Sequence, residues 1–489
     1  MTPAHTSGQR RWLVLVVLAA VLAGVGVAAR SSGKNSPGGP PVVPAATVGA
    51  PDAESSAWYC TGQTTAAGGL APGSVVLTNT GTRTVSGTIR AVTDTGVTVQ
   101  ARVSVAARSQ RIAQVPTPKT GTWLSDAITL SGGGVAVSQV LQGPSGWAVA
   151  PCQSTTAQQW YFPSGVTTGS DALFVALFNP TSTPDVVDLS FATVKGVVHP
   201  INFQGIVLEA GQTQVESIAP FVQDDASVAT TVSTRTGRLV ASELQLFSGN
   251  ASGLAIVPGS PRTDREWALP ENEEVSGGSS SIDVFNPGPT TQDVTVRTRL
   301  GSGPLSPFTA RVLPDSLWVL ATSDQTRIPK GDPYTAVIAT RGGGGVVVGR
   351  TVIGPSSAPT PQAGLAIAVD SLSATPASGR WVVPALGSTV TPVLTGVAPA
   401  HVALINLTDK VEKYEVEVME PSGFRTVVAG NIAASASVSL DDQALARAGL
   451  NPLIVSASGR AAVSQDVGPT GGLGVVTMQG IPLARALGG

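Results

Sequence analysis

A phrase that the chain repeats constrains its fold more than any other feature. Trp160-Tyr-Phe-Pro leads on to Leu177-Phe-Asn-Pro180, Trp267-Ala-Leu-Pro to Val284-Phe-Asn-Pro287, Trp381-Val-Val-Pro to Leu404-Ile-Asn406, and Trp58-Tyr-Cys-Thr to Leu77-Thr-Asn79. The four tryptophans follow one another after 102, 107 and 114 residues. Self-similarity at a near-fixed period means that one unit is built four times. A period near 100 residues is an ordinary domain size, so the reading is four repeats, over 58–153, 154–262, 263–375 and 376–489.

Within the first repeat, short apolar runs stand between turn signals. Strands are expected at 74–77, 87–92, 97–105, 111–115, 127–130, 135–141 and 147–150, with turns at Asn79-Thr-Gly81, Asp94-Thr-Gly96, Ser131 to Gly134 and Gly143 to Gly146. Thr98 to Val105 alternates apolar with polar residues, as a half-buried strand does. Composition agrees, because only 12% of residues are charged, about half the usual share, and Val and Thr favour strands over helices. The expected fold is all-β: four tandem immunoglobulin- or fibronectin-like β-sandwich repeats after an N-terminal transmembrane helix. In the last third of each repeat two apolar strands flank a Gly-containing turn, which reads as a hairpin. The connection into the closing strand that follows varies in length and is longest after Gly354, as an exposed loop would be. The one helical pattern is Asp441 to Ala448, with Asp442 as N-cap and Gly449 past its end; Ile218 to Gln223 is a weaker counterpart. Each sandwich is expected to fold alone. The alternative is a propeller-like body in which strands of one period complete the sheet of the next.

The address lies in residues 1–30. Arg10-Arg11 precede an uncharged run of 18 residues, Trp12 to Ala29, which is borderline for spanning a bilayer and longer than a typical signal-peptide core. The favoured reading is an uncleaved anchor with its N-terminus cytoplasmic and the bulk of the chain extracytoplasmic. Cleavage near Ala29, releasing a secreted protein, stays open because Val27-Ala28-Ala29 offers small residues for a signal peptidase. Residues 31–57 read as a Pro/Gly/Ser spacer. Cys60 and Cys152, the chain's two cysteines, are expected to pair in an oxidising compartment. Closing so long a loop contributes at most about 4.6 kcal/mol.

The Trp-x-x-Pro and Leu-x-Asn-Pro phrases and Gly237-Arg-Leu-Val-Ala-Ser-Glu243, together with the N-terminal run and spacer, resemble a domain-of-unknown-function family. Its members are secreted or membrane-anchored proteins of high-GC Gram-positive bacteria. The resemblance implies an envelope location and a β-rich fold, and brings no catalytic residue to carry over.

Candidate chemistry is sparse. His5, His199 and His401 are spread over different segments, so neither a zinc site nor a histidine triad is expected. Ser31-Ser-Gly-Lys34 and Gly342 to Gly345 match catalytic and phosphate-binding strings without the helices those need. Asp224-Asp225 and Glu271 to Glu274 read as solvated charge rather than a calcium loop. Two columns recur in all four repeats. Gln139, Glu243, Arg350 and Gln465 could face a ligand, although their changing charge favours a solvent-facing position. Trp58, Trp160, Trp267 and Trp381 could stack on sugars, although core packing is the better reading. With 29 basic and 31 acidic residues and no basic block, a nucleic-acid partner is not expected. The expectation is therefore a membrane-attached, non-enzymatic envelope protein without cofactor or metal, binding a protein or glycan through loops or strand edges. The alternative is a carbohydrate-binding or carbohydrate-acting factor of wall assembly, marked by a paired-carboxylate or aromatic-lined cleft at a repeat junction.

Overall fold

The computed structural model describes residues 44–65, 69–116, 118–249, 251–274, 276–354, 362–386, 401–440, 446–449, 451–467 and 476–486. The apolar run at 12–29, the Ser31 to Lys34 string, the first part of the spacer, Asp442, and residues 355–361 of the longest loop lie outside the described residues.

The first repeat contains the seven expected strands and one more that carries Trp58. Its strands are β1 (Ser56–Thr64), β2 (Gly73–Asn79), β3 (Val85–Thr93), β4 (Thr98–Val105), β5 (Ser109–Gln114), β6 (Trp123–Leu130), β7 (Val135–Gly143) and β8 (Gly146–Pro151). They form two antiparallel sheets, ordered β1-β6-β3-β4 and β5-β2-β7-β8. The other three periods build the same pair of sheets from their own strands. The core of each repeat is made by residues at alternate positions facing one another between its sheets, among them Trp58, Leu77, Ile89, Ile128 and Val137 in the first.

Two expectations about this architecture need correction. In an immunoglobulin sandwich the second strand pairs with the first and fifth, and the sixth with the third and seventh. Here β2 pairs with β5 and β7, and β6 with β3 and β1, so the first and seventh strands have exchanged partners. The expected hairpin of the last third is also absent. β6 and β7 lie in different sheets, as do Val228–Thr236 and Val240–Phe247, Tyr334–Arg341 and Val347–Ile353, and Leu453–Ala457 and Ala461–Val467. The Gly-containing turn is an arch across the sandwich. An apolar strand, a turn and an apolar strand satisfy both shapes, because burial on facing sheets asks for the same residues as burial on one.

The exchange of partners has an architectural consequence. It places the closing strand of every repeat at the edge of one sheet and, in the first two repeats, the opening strand at the edge of the other. The four closing strands, β8, Gly253–Pro258, Ala363–Ile367 and Val476–Gln479, then pack on one another in cyclic order. Residues 44–489 form one compact body.

Three of the seams are joined by the same piece of the repeat. Residues shortly after the opening tryptophan reach over the next repeat. Thr61 Oγ1 donates to Ser242 Oγ at 2.5 Å, and Ser164 Oγ donates to Asp283 Oδ2 at 2.7 Å. At the last junction Ala385 and Gln110 exchange two hydrogen bonds, of 2.9 and 2.8 Å, which joins the fourth repeat back to the first. Apolar clusters fill the seams: Leu141 with Leu244 and Ile256, Ala268 with Ile405 and Ala462, and Val76 with Leu386 and Met478. A single cluster runs through the second and third repeats. The arrangement is thus a ring of sandwiches, in which each repeat keeps its own sheets yet buries surface on its neighbours.

The end of the presumed spacer belongs to this ring. Val48 is fully buried, its N–H donates to the Pro482 carbonyl at 2.9 Å, and its own carbonyl accepts from Ala484 N–H at 3.0 Å. Ser154 N–H donates to the Ala45 carbonyl at 2.8 Å, and Gly134 N–H to the Gly49 carbonyl at 3.0 Å. Residues 44–50 therefore form a strap across the junction of the first and fourth repeats.

Candidate functional site

The seams leave grooves at two equivalent places. Between the third and fourth repeats a groove of about 370 Å³ has Glu266, Arg297, Arg299 and Val337 on one wall and Asn406, Leu407 and Ser435 on the other. Between the fourth and first repeats a groove of about 440 Å³ has Arg380, Phe424 and Ile454 facing Pro51 and Thr80, with Arg485 at its rim. The correspondence is exact in register, since Glu266 and Arg380 each precede the opening tryptophan and Leu407 and Thr80 each follow the asparagine of the repeated phrase. Both volumes fall in the range of ligand sites.

Strand geometry explains the arginines. Gln292–Leu300 is antiparallel to Tyr334–Arg341, with Arg297 opposite Val337 and Arg299 opposite Thr335. Alternation puts these four side chains on one face, the outward face that meets the fourth repeat. Among the described residues neither Arg297 nor Arg299 has an ion pair. Glu266, by contrast, is engaged by Arg460 of the fourth repeat. In the second groove Arg380 pairs with Glu417 at 2.9 Å and lies over the Phe424 ring, 5.3 Å from its centre, while Arg485 has no ion pair among the described residues.

A third cavity sits at the end of the ring's axis, between Pro151, Pro258, Ile367 and Ile481, with Ala45 and Ala46 of the strap across it. It measures about 40 Å³, room for a few waters. Around it the four closing strands pack on one another.

The expected site residues lie elsewhere. Gln139, Glu243, Arg350 and Gln465 are buried inside their own sandwiches, at 1, 0, 6 and 2% exposure, and face neither solvent nor groove. Gln139 Nε2 donates to the Thr61 carbonyl (3.3 Å), Gln465 Nε2 to the Pro384 carbonyl (3.1 Å), and Glu243 Oε2 accepts from Thr230 Oγ1 (3.1 Å). Burial pushes the Glu243 carboxyl well above its ordinary range, against a partial lowering by Thr230. Asp466, beside Gln465, is pushed up to about 6 by burial, with Thr477 and Arg350 acting the other way. Burial likewise raises Asp283 at the second seam, although Ser164, Thr351 and Ser281 donate to it. The four tryptophans are buried at 0–1% exposure. Cys60 and Cys152 form a disulfide, S–S 2.01 Å, joining β1 to the end of β8.

The carboxylate clusters are less solvated than expected. Asp225 pairs with Lys195 at 2.9 Å, and Glu274 is buried, accepting from Tyr334 Oη at 2.7 Å. His199 and His401 are exposed, and Gly342 to Gly345 form a strand-to-strand turn. Among the described residues no three His, Cys, Asp or Glu side chains assemble as a metal site, and no helix is long and apolar enough to cross a membrane.

Sequence reasoning missed the grooves. The alternation Arg297-Thr-Arg299 was readable, but not that a neighbouring repeat stands over that face. The repeated asparagine has a structural part. Asn79, Asn179, Asn286 and Asn406 are all buried. Asn286 Nδ2 donates to the carbonyls of Thr290, Val312 and Leu313 (2.9, 3.0 and 2.9 Å), while its Oδ1 accepts from Gly288 N–H (3.1 Å). Asn79 and Asn406 make the same clamp, and Asn179 makes it with two carbonyls instead of three.

Comparison with known proteins adds a partial match. Residues 132–316 match a family of unknown function, DUF5719. None of the curated proteins matches the chain. Among solved structures, Thermotoga maritima 1070 is 18% identical over 22% of this chain and 95% of its own, with a TM-score of 0.20. A tetra-tandem repeat from the extending region of a large adhesion protein is 11% identical over 90% and 99%, TM-score 0.12. A Streptomyces avermitilis α-L-rhamnosidase is 12% identical over 63% and 43%, TM-score 0.14. At such scores none of them assigns a fold or an activity.

Proposed function

We propose that the chain is a non-enzymatic extracytoplasmic scaffold of the cell envelope, holding a protein or glycan partner at the seams of its ring, with each period read as a variant immunoglobulin-like sandwich. The observation that carries this reading is the pair of equivalent seam grooves. Their chemistry suits binding better than hydrolysis. Glycoside hydrolysis uses two carboxylates about 5–10 Å apart. The third-to-fourth groove offers Glu266, and Arg460 holds it. The fourth-to-first groove has one aromatic, Phe424, and it is covered by Arg380. The disulfide supports an oxidising compartment, and the apolar run at 12–29 supports attachment to a membrane. The test is to incubate the exported chain with separated wall-polymer and membrane-protein fractions, measuring binding and polymer length together. Saturable binding with unchanged polymer length is expected. Shortening of a glycan by the purified chain would overturn the reading.

A further inference from the structure

We infer that the groove between the third and fourth repeats is a binding site for a ligand bearing successive anionic groups, phosphodiester or carboxylate, held by Arg297 and Arg299. The inference rests on the scaffold reading and names the chemistry its groove selects.

Three observations carry it. First, Arg297 and Arg299 stand on alternate positions of one strand, so both guanidinium groups emerge on the groove face about 6.8 Å apart at their backbones. A guanidinium presents a planar fork of donors that takes an oxyanion in two parallel hydrogen bonds, and two such forks in line suit two anionic groups on neighbouring units of one ligand. Second, among the described residues neither arginine has a carboxylate partner, as Arg235, Arg262, Arg311, Arg380, Arg425 and Arg460 do. The groove's one carboxylate, Glu266, already has Arg460. Third, apolar surface lies on both walls, Val337 beside the arginines and Leu407 across from them next to the Ser435 turn, whose residue lies at φ +53°. A groove with apolar surface on both walls and two guanidiniums without ion pairs fits a polymer backbone with charged substituents better than a free small anion.

The test uses the full chain and two labelled probes, linear polyphosphate of defined length and an oligogalacturonate, with binding followed by fluorescence anisotropy at about 0.15 M salt, where surface charges farther apart than a Debye length are screened. Saturable binding of at least one probe is expected, and which one binds decides between phosphate and carboxylate. The double substitution Arg297→Gln with Arg299→Gln is expected to weaken it at least ~10-fold, whereas Arg311→Gln, on the exposed neighbouring strand, is expected to leave it unchanged. No saturable binding of either probe, or equal weakening by Arg311→Gln, would overturn the inference. If the double variant still binds envelope fractions as the wild type does, the anion site alone fails and the scaffold reading stands. If the wild type binds no envelope fraction, both fall.

Discussion

Asn286 shows how a short repeated word becomes structure. One side chain closes a turn through Gly288 and Thr290 and ties it to the end of the Phe308–Val312 strand through two carbonyls. Buried and fully used, it leaves several backbone groups without partners if removed. Asn286→Ala is therefore expected to cost about 1–3 kcal/mol, read as a lower urea midpoint at unchanged slope; no shift would mean that water replaces the clamp. Asp126 makes a prediction of another kind. Burial pushes it up to about 8, against a partial lowering by the Gln63 amide at 2.6 Å. The folded chain keeps a proton here that the unfolded chain releases near pH ~4. Its contribution is therefore fully present below that pH and lost as pH rises through about 8, a few kcal/mol at most. Asp126→Asn is expected to raise the melting temperature at pH 8 and change it little at pH 4 to 5. The opposite pattern would place a charged Asp126 in the fold.

At the scale of elements, the sequence carried strand positions well. The expected strand at 111–115 is found at Ser109–Gln114 and that at 127–130 at Trp123–Leu130, because turn residues mark strand ends and alternation marks their middles. Which sheet a strand joins was not legible. The arch at Ser131 to Gly134 and the exchange of partners by β1 and β7 depend on contacts between residues far apart in sequence, which local periodicity does not encode. Gln139 illustrates the same limit: its strand was evident, but not that its face is the sandwich interior. Short helical signals were legible at both places within the described residues. Residues 446–448 are helical with Gly449 at φ +63° past them, and Val222 N–H reaches the Ile218 carbonyl in a single turn. The strap supplies the test for this scale. A Cβ at Gly133 would lie 1.8 Å from the Ala50 carbonyl oxygen, so Gly133→Ala is expected to displace the strap. The substitution should cost about 1–3 kcal/mol and speed protease cleavage within residues 44–53. Cleavage at the wild-type rate would show that the strap does not depend on this fit.

At the scale of the molecule, ring closure decides what a repeat is. Each period makes two complete sheets, as an independent sandwich would, yet its seam surfaces are apolar and covered by neighbours, as in a propeller. Residues 376–489 alone would expose Ile405, Ala462, Leu386 and Met478, which are buried against the third and first repeats in the ring. The isolated fragment is accordingly expected to bind a hydrophobic dye or self-associate, with a well-folded monomer arguing against the seams. The disulfide acts inside this frame, and reduction is expected to lower the melting temperature of the whole body, by up to about 4.6 kcal/mol in stability. The most direct test of the closed ring is equilibrium urea unfolding of the wild type and of Val48→Asp, which places a charge in the fully buried strap position. Tryptophan fluorescence and far-UV circular dichroism would be followed together. A closed ring predicts one coincident transition, with a slope set by the surface of all four repeats, that moves as a whole to lower urea in the variant. Separate transitions, with only the strap's neighbours shifted by Val48→Asp, would contradict it.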